Sequence, residues 1–90
     1  MIDPEAARAA GTLLRQAAEA RRDAIVAFCQ ALVRIPSPPG SEGRAAECVL
    51  SAMHELGFDE AQADTWGNVV GVVAAGPDRR ADAAVLLDAH

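Results

Sequence analysis

The stretch EAQADTWGNVVGVVAA, residues 60–75, decides the fold. Glu60 to Thr65 alternates loosely between polar and apolar side chains, which predicts an edge strand, and Trp66-Gly67-Asn68 predicts a turn. Val69 to Ala75 is a near-continuous β-branched run, the pattern of a strand buried on both faces. Gly76 to Asp82 then reads as a polar loop containing Arg79 and Arg80. Ala83 to Leu87 reads as a second buried apolar strand, running into Asp88-Ala89-His90.

Upstream of these strands the period is helical. Residues 4 to about 34 read as helix, with Asp3 as N-cap and Pro4 in the first helical position. Ile25, Phe28, Leu32 and Ile35 recur along one face. The part up to Arg22 is alanine-rich and weakly amphipathic, and Gly11 is a candidate interruption. The prolines of Ile35-Pro36-Ser37-Pro38-Pro39-Gly40 must stop the helix, since each removes a backbone donor and bars helical geometry to the residue before it. Ser41 is then expected to cap a second helix with Glu42 in its first turn. That helix carries Ala45, Val49, Ala52 and Leu56 on one face and ends at Gly57. Two helices and three strands predict an α/β sheet protein. Two helices cannot cover both faces of a sheet, so a chain whose last strand is central calls for more polypeptide.

Composition narrows the function classes. The chain has 90 residues, enough for one small domain, and 51% of them are hydrophobic, which argues against intrinsic disorder. Much of that fraction is alanine, and Phe28, Phe58 and Trp66 are the only aromatic residues, so large core-filling groups are few. The net charge is −5 and the dispersed basic residues are all arginines, which points away from nucleic acid and anionic membranes. No apolar run is long enough to span a bilayer, and the N-terminus lacks a secretory pattern, so a cytoplasmic protein is expected. Cys29 and Cys48 fit no C-x-x-C spacing and read as buried thiols.

In open α/β sheets ligands gather beyond the carboxyl ends of strands, which is where His90 falls. Neutral imidazole suits Zn²⁺, and a strand would fix the direction of its lone pair. By itself a single terminal histidine is an ordinary surface residue. Asp88, two residues earlier, would share its strand face, as a partner to the histidine or as a structural group at the sheet edge. His54 reads as a surface histidine at the negative end of its helix. Trp66 reads as a packing residue at a turn, Arg79 and Arg80 as solvated loop charges, and Ser37 and Ser41 as elbow and cap residues.

Four segments in order carry a family resemblance. The run from Phe28 through Ile35-Pro36-Ser37-Pro38-Pro39-Gly40-Ser41-Glu42-Gly43 resembles the first helix and elbow of the M20 metallohydrolases. Leu56-Gly57-Phe58 is similar to their second helix end, Gly67-Asn68-Val69-Val70-Gly71 to their turn and strand, and Asp88-Ala89-His90 to the strand end that carries a metal ligand. The resemblance covers about residues 24 to 90 and is nearest the dipeptidase-like branch that includes the selenium-metabolism-linked hydrolases. The branch acting on acetylornithine or succinyl-diaminopimelate is also similar.

The resemblance implies the first part of a zinc-peptidase-like catalytic domain over residues 23–90, behind a helical extension over 1–22. It implies a parent enzyme that cleaves the amide bonds of dipeptides or N-acyl amino acids with two Zn²⁺ ions, Co²⁺ being an alternative, and that can dimerise through a further domain. His90 would be a ligand of one ion. The remaining ligands and the general base would lie in later sequence, so residues 1–90 are expected to be inactive alone. A competing expectation is a small complete α/β module that acts through protein–protein contact, with its N-terminal helix as the binding face.

Overall fold

The computed structural model describes residues 3–74 and 84–90. The loop expected over 76–82, with Arg79 and Arg80, lies outside the described residues, as does Ala83. Three helices precede a two-stranded antiparallel sheet: α1 (Pro4–Ala20), α2 (Arg22–Val33), α3 (Gly43–Glu55), β1 (Glu60–Ala63) and β2 (Val69–Val72).

α1 begins as expected. Pro4 occupies the first turn and the Asp3 carboxylate accepts the Ala6 N–H at 3.1 Å, meeting one of the four donors that a helix start leaves unpaired. The helix runs through Gly11 without a break, because a single glycine costs only about 1 kcal/mol and its neighbours are strong helix formers. The break falls instead at Arg21 (φ −99°, ψ 5°), whose N–H bonds back to Ala18. It coincides with the change of pattern. Every residue of α1 is exposed, whereas Phe28 and Leu32 of α2 are half-buried.

The proline elbow closes in a type II turn over Pro38–Ser41. Ser41 N–H donates to Pro38 O at 2.9 Å, with Pro39 in the second position and Gly40 at φ +85° in the third. That geometry corrects the expected cap. Ser41 is taken up by the turn, Glu42 becomes the N-cap residue, and its Oε1 accepts the Gly40 N–H at 2.9 Å. α3 then presents a broader half-buried face than expected, in which Leu50 and Met53 join Val49 and Ala52, while Leu56 is 59% exposed.

α3 ends in a Schellman motif. Phe58 N–H donates to Met53 O and Gly57 N–H to His54 O, both at 3.1 Å, with Gly57 at φ +81°. The motif turns Phe58 back over Met53 and onto the sheet. β1 and β2 pair with Glu60 opposite Val72 and Ala63 opposite Val69. Gly71 lies beneath α3: a Cβ there would stand 2.6 Å from Phe58 Cδ2 and 2.7 Å from Met53 Sδ. Only glycine lets helix and strand approach this closely. Met53, Phe58 and Gly71 form the centre of packing, yet all three remain half-buried, so the Met53 and Phe58 side chains each stabilise by less than the ~1.5–3 kcal/mol of full burial.

Two expectations about the strands are corrected. β2 is not buried on both faces: Val70 is 51% and Val72 41% exposed, because α3 covers only the face that Gly71 presents. Residues 84–87 form no strand and are fully exposed, with no neighbouring strand paired to them among the described residues. The accessible surface of 8319 Å² compares with about 5000 Å² for a folded monomer of 9.3 kDa. The radius of gyration, 15.9 Å, exceeds the roughly 12 Å of a compact chain of 90 residues. No described residue is fully buried.

Candidate functional site

His90 and Asp88 lie in an exposed segment without regular secondary structure, so no strand fixes their side chains on a common face. His54 is exposed in the last turn of α3, where the negative helix end favours a positive group. The two thiols are free. Cys48 is half-buried on α3, but Cys29 is exposed on α2 beside Ile25, Val26 and Val33, which corrects its reading as a buried thiol. The reason is local, since no element covers that side of α2 among the described residues. Trp66 is 88% exposed at the tip of the hairpin, contrary to the packing role expected of it.

The best-organised polar group is one the sequence reading passed over. The Asp64 carboxylate accepts three hydrogen bonds: Oδ1 from Trp66 N–H at 2.8 Å and from Asn68 N–H at 2.9 Å, and Oδ2 from the Asn68 side-chain amide at 2.9 Å. Its own N–H donates to Asn68 O at 2.9 Å, and its carbonyl accepts the Gly67 N–H at 3.2 Å. With Gly67 at φ +88° the turn is fully specified by Asp64, Gly67 and Asn68. The Asn68 side-chain amide, then its backbone N–H, hold the Asp64 carboxyl below the ordinary value of 3.8; desolvation opposes them, and the Trp66 and Gly67 N–H groups add smaller lowering effects. An Asx residue four positions before an Asn, with glycine between them, was the available signal. A second clamp lies at the other end of the hairpin, where Asp59 Oδ2 accepts the Ala74 N–H at 2.6 Å and Asp59 N–H donates to Val72 O.

Chemically, these carboxylates are occupied by the chain's own N–H groups and serve the hairpin. Among the described residues no three His, Cys, Asp or Glu side chains come together as a metal would require. The donors present therefore do not fit a complete zinc site, and no catalytic step follows from them. No described helix is long and apolar enough to cross a membrane.

Comparison with known proteins gives one relative in two strains. The chain is 35% identical over 63 residues to the uncharacterized protein YgeY of Escherichia coli K12, and equally to that of Escherichia coli O157:H7. The match takes in 70% of this chain but spans only 14% of the length of those relatives. No protein-family model and no solved structure matches.

Proposed function

We propose that this chain forms the opening segment of an M20-type metallohydrolase, a cytoplasmic enzyme acting on the amide bonds of dipeptides or N-acyl amino acids, and that it has no turnover alone. The observation that carries the reading is the order of its four segments: the Pro-rich elbow, Leu56-Gly57-Phe58, Gly67-Asn68-Val69-Val70-Gly71 and Asp88-Ala89-His90. Three of them are also geometric necessities of this fold. The elbow needs Gly40 at φ +85°, the helix end needs Gly57 at φ +81°, and the hairpin needs Gly67 at φ +88° and an absent side chain at 71. A further support is the large exposed apolar surface, including Val85, Leu86 and Leu87 at 88–90% exposure, which suits a segment that packs against other polypeptide.

On this reading His90 is one ligand of a zinc or cobalt ion whose other ligands lie in later sequence. Expression of the full reading frame, with metal content and dipeptide or N-acyl-amino-acid hydrolysis measured with and without His90→Ala, tests it. Loss of both metal and activity in the variant is the expected result. Unchanged metal content and activity would overturn the ligand assignment.

A further inference from the structure

Met53 is the one methionine besides Met1, and its side chain lies where α3 meets the hairpin. A Cβ on Gly71 would stand 2.7 Å from Met53 Sδ and 2.6 Å from the Phe58 ring, so the thioether is seated against the backbone of β2 with no side chain between them. Phe58 and the half-buried Val49, Leu50 and Ala52 of α3 are apolar and offer no side-chain donor to an oxygen carried on that sulfur. Met53 is nevertheless only half-buried, so an oxidant as small as hydrogen peroxide has a path to it from solvent. One soft, oxidisable atom thus sits at the contact that holds helix and hairpin together.

We propose that Met53 is a redox-sensitive latch: oxidation of its thioether to the sulfoxide by a peroxide releases β1 and β2 from α3. The sulfur gives an electron pair to one peroxide oxygen as the O–O bond breaks. That oxygen stays on sulfur, its proton passes to the other oxygen, and water leaves. Sulfur is oxidised by two electrons and the peroxide is reduced. A flexible apolar side chain becomes a polar one. Its new oxygen has no room toward Gly71 and no side-chain donor among its apolar neighbours, so the side chain turns to water and its contacts with Phe58 and Gly71 are lost. The latch is reversible, because a methionine sulfoxide reductase removes the oxygen. The inference rests on the packing of α3 against the hairpin and is independent of the proposed enzymatic role.

Amide hydrogen exchange of the 90-residue chain before and after hydrogen peroxide tests this, with peptide mass spectrometry to locate the added oxygen. The expected result is one oxygen on Met53 and a roughly tenfold loss of protection across β1 and β2, the scale set by stranding one polar acceptor among apolar groups. Treatment with methionine sulfoxide reductase should restore protection. Met53→Leu keeps the apolar contact without the sulfur, so its hairpin should be protected before peroxide and indifferent to it, although Cys29 and Cys48 are still present. If that variant fails to fold, recovery of the unmodified chain on reductase treatment decides, since the reductase acts on the sulfoxide and leaves oxidised cysteines as they are. A Met53 that resists peroxide while free methionine is oxidised would overturn the proposal. So would a sulfoxide with unchanged hairpin protection, the same loosening in Met53→Leu, no recovery with reductase, or hairpin amides that exchange freely before any oxidation.

Discussion

Gly71→Ala should loosen the hairpin from α3, and the structure sets the size of the effect. The new methyl would lie 2.6 and 2.8 Å from two ring carbons of Phe58 and 2.7 Å from Met53 Sδ, well inside contact distance. Gly71 has no positive φ, so the backbone itself accepts alanine and the cost is steric. Forcing a methyl into an occupied position costs typically about 1–3 kcal/mol. The smaller entropy of the unfolded alanine chain returns about 0.4–1 kcal/mol. The midpoints of these ranges leave a net destabilisation of about 1.3 kcal/mol, roughly a tenfold change in the opening equilibrium. Amide hydrogen exchange across β1 and β2 reads it as a loss of protection of that size. Phe58→Leu removes the two closest ring atoms, so in the double variant the cost of Gly71→Ala should shrink by about 0.5 kcal/mol or more. Hairpin protection that is equal or higher in Gly71→Ala, or a cost indifferent to residue 58, would refute the packing described here.

Three further outcomes follow from the same geometry. Gly57→Ala places a Cβ at φ +81° and should cost about 1–2 kcal/mol, seen as fraying of the last turn of α3 in exchange of the Gly57 and Phe58 amides. The Asp64 carboxyl is depressed in the folded hairpin, so its stabilisation is complete above the unfolded value of 3.8 and is lost as pH falls through the lower folded value. A pH titration of the Asn68 side-chain amide shift should therefore be flat through neutrality and move only in that acid window, and Asp64→Ala should abolish the transition. Cys29 should react with a thiol reagent faster than Cys48, since one thiol is exposed and the other half-buried; equal rates would contradict the placement of α2.

The local features of the fold were legible where a residue type has a single structural use. Asp3-Pro4 started a helix, the prolines ended one, Gly57 capped one, and Trp66-Gly67-Asn68 turned the chain between β1 and β2. What misled was inference from apolar character to burial. Val69 to Ala75 and Ala83 to Leu87 read as buried strands because β-branched runs usually find cover. Burial, however, depends on a second surface, and α3 supplies one for Gly71 but not for Val70, Val72 or Leu86. The break at Arg21 was hidden for a related reason. Helix propensity is high on both sides of it, and only the onset of packing at Phe28 distinguishes α2 from α1. Of the candidate site, His90 is an expectation from its place in the segment order, and among the described residues no group of three metal-binding side chains forms around it. Asp64 was overlooked because its chemistry lies in backbone N–H groups that composition does not display.

On the proposed function His90 is a ligand of a metal ion in an M20-type enzyme that contains these residues. Zinc and cobalt content of the purified full reading frame, wild type against His90→Ala, tests it most directly. Stoichiometric metal in the wild type and a marked loss in the variant are expected. Equal metal in both proteins, or none in either, would contradict it.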